Sequence, residues 1–370
     1  MPVQKRSPVS LRDLGRQAVS LALRDASVDR VDALYLGNML ADELSGQKHL
    51  ASLVASHAGL AGVEALHCRA ATASGAAALR VACLAVASGQ VELAVAVGVE
   101  LMSGGPPPTP ALSLALDALR EIPNGLTMVE ANAHLMSLYL ERYRIGPEML
   151  TNFAVNAHRN GVNNPNALFR EPVDAETVDG SRIVSPPLRL YDCSPICDGA
   201  AAVVVGLAKR AGAFHRTPIQ ILASAAATDR FALTDRRDPL ALEAAQEASA
   251  RAYEMAGIAP QDIDFFEAHD AFSIMACLQL EAAGFARPGE GWRLAAEGEI
   301  FREGRLPIST MGGLKARGHP IGASALYQVA EMVLQMRNLA GGNQLPRADL
   351  AMTQSIGGAG TTVFAHILGR

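Results

Sequence analysis

One pattern occurs twice in this chain and limits what it can fold into. Leu11, Leu14, Ala18, Leu21 and Ala22 recur at helical spacing behind Ser10, which is placed to cap the helix together with Asp13. An Asp-rich connection follows, and Val31 to Leu36 then reads as an apolar strand buried on both faces and ending at Gly37. In the second half Ala241, Ala245, Ala248, Ala252 and Met255 form one helical stripe that stops at Gly257. Ile263-Asp-Phe-Phe-Glu-Ala then runs up to His269. Helix, acidic connection and strand in the same order predict two similar α/β halves packed about a pseudo-twofold axis.

With 370 residues, 49% of them hydrophobic, the chain has ample material for two such halves. Further strands are expected at 65–71, 93–99, 201–206, 219–225, 350–354 and 361–368, and helices at 74–87, 241–256 and 323–337. The stretch from Ser103 to Pro187 breaks this rhythm. It opens with Gly-Gly-Pro-Pro-Pro, holds a helical part around Asn132 to Tyr143, and carries Asn160, Asn163, Asn164 and Asn166 without strand periodicity. Unstructured loops of that length are rare in compact domains, so it reads as an inserted loop domain.

Charge excludes several functions. The net charge is −5 and only 19% of residues are charged, so there is no basic field for nucleic acid. Lys5, Arg6, Arg12, Asp13 and Arg16 leave no apolar core for a signal peptide, and Val81 to Val99 is broken by Ser88, Gln90 and Glu92. A cytoplasmic protein with no membrane span is expected. Cys68, Cys83, Cys193, Cys197 and Cys277 are odd in number and scattered, which fits reduced thiols. Cys193 and Cys197 lack a second ligand pair at matching spacing, so no metal site is expected.

Three small-residue turns follow predicted strands. In Ala70-Ala-Thr-Ala-Ser-Gly, Thr72 occupies a strand-to-helix elbow, where helix N–H groups favour developing negative charge; Thr72 and Ser74 would equally serve as plain helix caps. In Gly312-Gly-Leu-Lys-Ala-Arg-Gly-His-Pro-Ile-Gly-Ala-Ser, His319 sits between Gly318 and Pro320, suited to general-base work. Gln354-Ser-Ile-Gly-Gly-Ala-Gly places Ser355 and backbone donors at a third strand end, and Glu267-Ala-His-Asp-Ala-Phe adds His269 at a fourth. Active sites of open α/β sheets form at such strand ends.

Together with Tyr35-Leu-Gly-Asn-Met, Gly98-Val-Glu-Leu-Met-Ser and Asp192-Cys-Ser-Pro-Ile-Cys-Asp-Gly, these motifs resemble the thiolases over nearly the whole chain, especially the archaeal and sterol-carrier-protein-like branch. The resemblance implies a five-layer αβαβα fold of duplicated halves with mixed five-stranded sheets. Residues 1–102 plus 188–212 would form one half, 103–187 the loop domain that helps hold coenzyme A, and 213–370 the other half. It implies a homodimer, a coenzyme A thioester as substrate with no tightly bound cofactor, and a small zinc-bearing OB-fold protein as a candidate partner. Family members begin with a strand ending near the residues matching Pro2 and Val3, which leaves two alternatives: a start placed late, or a first sheet short of one strand.

Site roles follow from the same resemblance. His319 matches the base, His269 the residue that helps bind the thioester oxygen, Thr72 the position of the acylated cysteine, and Ser355 that of the second cysteine. Ala271 stands where some relatives carry the alternative cysteine, and Gly313, Gly357 and Gly358 are the turn glycines placed to bind the coenzyme A thioester. A threonine hydroxyl depends wholly on a base, and losing a covalent nucleophile costs about 10⁶ in rate. The expected function is that of an acyl-CoA C-acyltransferase-like protein with altered catalytic residues. The alternatives are a lyase cleaving a carbon–carbon bond in a CoA thioester and a catalytically silent subunit.

Overall fold

The structure, a computed structural model, describes residues 1–213 and 216–370. Its strands in chain order are β1 (Ala33–Gly37), β2 (Glu64–Cys68), β3 (Leu93–Glu100), β4 (Ile183–Ser185), β5 (Leu188–Arg189), β6 (Gly199–Gly206), β7 (Gln220–Thr228), β8 (Phe265–Glu267), β9 (Leu350–Gly357) and β10 (Thr362–Gly369). One sheet has the order β2-β1-β3-β6 and the other β7-β10-β9-β8, while β4 and β5 form a small hairpin. The duplication expected from the sequence is visible in the pairing: β1 lies parallel to β3 with β6 antiparallel, and β8 lies parallel to β9 with β10 antiparallel.

Layering follows from which faces are apolar. β1 and β3 are buried along their whole length because helices cover both sides. Leu11–Ala26 and Leu50–His57 cover the outer face of the first sheet with Leu14, Val19 and Val54. Ser74–Ala87 and Ser324–Met336 lie between the sheets, where Leu79, Leu326 and Met332 share a core with Tyr35 of β1, Phe265 of β8 and Leu368 of β10. Glu243–Ala256 and Ser273–Ala282 close the far side. The result is the five-layer αβαβα arrangement. Ser10 caps as expected: its Oγ accepts from the Asp13 N–H at 3.3 Å and donates to the Asp13 carboxylate at 2.6 Å.

The expectation of five strands per sheet is corrected to four among the described residues. In the first half the opening segment makes one bridge, Gln4 to Asp198, and β6 pairs only with β3. In the second half the chain meets β8 at a single bridge, Phe266 to Ile308. Pro307 has no N–H to extend that ladder, and Ser309 turns away at φ 48°.

Within the Ser103–Pro187 stretch the principal helices are Met128–Tyr143, opened by a capping box between Thr127 and Glu130, and Thr151–Gly161. The first of these places its N-terminal turn against the ends of both sheets.

Candidate functional site

The first turn is a strained elbow. Ala71 is held at φ 48°, and the Ser74 hydroxyl ties the bend by donating to the Ala71 carbonyl at 2.6 Å and accepting from the Ala70 N–H at 3.1 Å. Ala73, not Thr72, occupies the N-cap position, and it makes no side-chain bond. Thr72 is only 8% exposed, and its Oγ1 donates to the Ile356 carbonyl at 2.5 Å. The only hydroxyl proton of Thr72 is therefore held by backbone of the other half. Gly357 allows that approach, since a Cβ there would strike the Ala70 carbonyl oxygen.

His319 is fixed from three sides. Its N–H points at the Cys197 sulfur at 3.1 Å, its Nδ1 lies 2.7 Å from Ser324 Oγ, and that hydroxyl donates onward to the Pro320 carbonyl at 3.1 Å. A serine has one proton; with that proton on Pro320, Ser324 accepts from Nδ1–H, which leaves the Nε2 lone pair for the cavity. The loop itself is anchored by Glu100 of β3. Its carboxylate accepts from the Gly322 N–H at 3.0 Å while also accepting from Asn38 Nδ2 and the N–H groups of Met39 and Leu40.

His269 stands at right angles to His319, ring centroids 5.0 Å apart. Gln279 clamps its backbone, accepting from the His269 N–H at 2.8 Å and donating to its carbonyl at 2.9 Å. Burial, with the Arg317 charge nearby, pushes His269 down to about 3. Burial likewise holds His319 well below the usual histidine range, helped by His269 and Arg317. Both rings are neutral at neutral pH, one prepared as a base and the other beside it.

Thr72, His269, Ala271, His319 and Gly358 line one cavity of about 120 Å³, so four of the elements singled out from sequence converge. Ser355 does not join them. It is a buried β9 residue whose Oγ faces Gln328 at 3.4 Å, and the alternation of the strand gives the cavity to Ile356 instead. Gly313 lies outside the cavity wall, in the wide Gly313–Arg317 turn, where a side chain would collide with the Asp270 carboxylate. Gly357 packs on the elbow as described.

Sequence reasoning passed over two residues of the wall. Cys193 meets Phe272 through a β-bridge that no local pattern announces. Asn132 was seen only as part of a helix. Burial pushes the Cys193 thiol up to about 11, so it is no substitute nucleophile. Among the described residues no cluster of three or more His, Cys, Asp or Glu is arranged to hold a metal ion. Apart from Ser194, the remainder of the wall is apolar, with Met102, Met128 and Met275 prominent. The arrangement offers a neutral base and a neighbouring imidazole in a largely apolar cleft, with no activated nucleophile.

Comparisons with known proteins agree with this architecture. The family described as thiolase, N-terminal domain, matches residues 3–209, and that described as thiolase C-terminal domain-like matches residues 225–370. The acetyl-CoA acetyltransferase of Methanothermobacter thermautotrophicus is 43% identical over 364 residues, covering 98% of this chain and 95% of that protein. The benzoylsuccinyl-CoA thiolase subunit BbsB of Thauera aromatica is 32% identical over 361 residues, covering 95% and 91%. Among solved structures, the Ltp2-ChsH2(DUF35) aldolase superposes with a TM-score of 0.86 at 24% identity, covering all of this chain and 95% of that one. With both halves matched and the duplicated sheets in place, the chain belongs to the thiolase family.

Proposed function

We propose that the cavity binds an acyl-CoA thioester and breaks a carbon–carbon bond beside it without an acyl-enzyme, as a lyase acting on a β-hydroxyacyl-CoA. The observation that carries this reading is the Thr72 hydroxyl, buried and committed to the Ile356 carbonyl. In the proposed step His319 Nε2 takes the β-hydroxyl proton, the Cα–Cβ bond breaks to give a carbonyl compound, and its electron pair becomes the thioester enolate. A ring N–H of His269 stabilises the enolate oxygen. Protonated His319 then returns the proton to Cα, releasing the shortened acyl-CoA.

A transferase reading draws on the sequence likeness to acetyl-CoA acetyltransferase, and it requires a covalent adduct. Intact-mass measurement during turnover separates the two. The lyase reading expects no acyl adduct on the wild type, a carbonyl product from β-hydroxyacyl-CoA, and a loss of 10²-fold or more in His319→Ala. An acyl adduct on the unmodified chain would overturn it, as would intact substrate after prolonged incubation.

The assembly is proposed to be a homodimer. The outer edge of β2 is unpaired among the described residues, and Leu66 on it and Leu84 on the adjoining helix are 49% and 54% exposed. A second protein, of the small zinc-bearing OB-fold kind, is proposed as a further partner; the name of the aldolase neighbour joins Ltp2 to ChsH2(DUF35), and BbsB is named as a subunit. Co-purification of such a protein at fixed stoichiometry checks this, and a chain fully active alone would remove it.

A further inference from the structure

One side chain in the cavity wall has an unmet bonding requirement. Asn132 lies in the first turns of the Met128–Tyr143 helix, where the Thr127–Glu130 capping box fixes the backbone. It is 1% exposed and belongs to the cavity lining. Its Nδ2 donates back to the Met128 carbonyl at 2.8 Å, which settles the orientation of the amide, because a carbonyl accepts only from the nitrogen. The other end, Oδ1, is buried and has no partner. Buried acceptors are ordinarily satisfied, and among the described residues no side chain or backbone group donates to this one.

Besides Thr72, Ser194 and the two histidines, the largely apolar wall thus carries an unpartnered acceptor aligned by its own helix. An acceptor selects for a donor. Resting on the reading of the cavity as a thioester site, we infer that Asn132 is a specificity residue that accepts a hydrogen bond from a hydroxyl on the acyl group beyond Cβ, a second hydroxyl because the single proton of the β-hydroxyl goes to His319. The same wall defines the rest of the substrate. Met102, Met128 and Met275 are unbranched and adaptable, so they fit a bulky apolar acyl group of irregular shape around that hydroxyl. The substrate class is a hydroxylated, apolar acyl-CoA, and unsubstituted acyl-CoA is disfavoured because it leaves Oδ1 unpaired.

Calorimetry with acyl-CoAs of equal chain length that lack a β-hydroxyl and are either plain or hydroxylated at a carbon beyond Cβ, on the wild-type protein and on Asn132→Leu, tests this. The wild type is expected to bind the hydroxylated ligand at least about tenfold more tightly. Asn132→Leu should lose that preference by weakening the hydroxylated ligand while leaving the plain one unchanged or tighter, with an unaltered far-ultraviolet spectrum as the check on folding. Equal affinities in the wild type overturn the inference and do not depend on whether any variant folds. If cleavage of β-hydroxyacyl-CoA persists while the preference is the same in both proteins, this inference fails and the lyase reading stands. If neither ligand binds the wild type, both fail.

Discussion

Thr72 and Ser324 show how much of the chemistry turns on where a single proton rests. If the Thr72 hydroxyl is only a tie to Ile356, then Thr72→Val should keep β-hydroxyacyl-CoA cleavage within about threefold, since the variant preserves the β-branched shape and loses one hydrogen bond worth about 1 kcal/mol. Initial rates measure it, and a fall of several hundredfold would assign the hydroxyl a direct part. Ser324→Ala should behave differently, because it removes the acceptor that keeps the His319 proton on Nδ1. The expected result is a roughly tenfold loss in kcat with little change in KM, together with a shifted pH profile. His319 was legible from sequence because glycines bound its turn, Thr72 because it sits in a small-residue elbow, and His269 because it ends a predicted strand. Ser324 stood at the end of the same motif as His319, yet nothing local indicated that its hydroxyl would fold back on the imidazole.

At the scale of the element, the turn that delivers His319 is also the turn that buries a charge. Gly313–Arg317 closes as one wide turn and ends with Arg317 fully buried, its Nε 3.4 Å from Glu331 Oε1 on the Ser324–Met336 helix and its guanidinium 5.0 Å from the Tyr327 ring. Glu267, Asp270 and Glu331 all feel this charge, and burial raises all three carboxyls, Glu267 to about 7 and Glu331 to about 8. Arg317→Met should therefore destabilise the chain by about 1–3 kcal/mol, the cost of leaving the buried Glu331 carboxyl without the donor beside it. Glu331→Gln should cost far less, because Glu331 holds its proton at neutral pH. Urea unfolding of both variants checks the difference.

Helices with one apolar face, such as Leu11–Ala26, were readable in advance. Ser273–Ala282 was not: nine of its ten residues are buried, and a helix covered on every side shows no period. Leu50–His57 was missed as well. It starts without a side-chain cap after His49 at φ 54°, so the usual opening signal is absent. The Asp-rich connections read correctly for a physical reason: Asp32 accepts the Glu92 and Leu93 N–H groups at the start of β3, and Asp264 does the same for Asp349 and Leu350 before β9.

For the molecule as a whole, the buried titratable groups define a stability optimum. His269 is pushed to about 3 and His158 and His366 to about 4, against about 6.5 when unfolded, so below pH 6.5 the unfolded chain binds more protons and stability falls with falling pH. Glu267 and Glu331 act in the opposite sense. From about 4.5 up to about 7 and 8 the folded chain binds more protons, so stability falls as pH rises through that window. Between 4.5 and 6.5 the two trends oppose, and above 6.5 the acids act alone. Scanning calorimetry should find the highest Tm near about pH 6 and lower values at about 4.5 and 8.5, with Glu331→Gln flattening the alkaline side. A Tm climbing steadily to pH 9 would contradict this assignment. Light scattering should report a dimer of the 38.8 kDa chain at micromolar concentration, and Leu66→Lys should shift it toward monomer.

The contact between Thr72 and Ile356 also has a consequence in time. It joins residues 284 positions apart, and Glu100 reaches 222 positions forward to hold the His319 loop. A ribosome adding about 5–20 residues per second needs roughly 15–60 s to travel from the elbow to the strand that receives it. During that interval the elbow is made first, β3 and β6 then complete its sheet, and the facing imidazole, the base and the carbonyl that restrains Thr72 follow in that order. The nascent chain is therefore inert toward thioesters until β9 has been made, and activity should return late in refolding, after most helical signal has recovered.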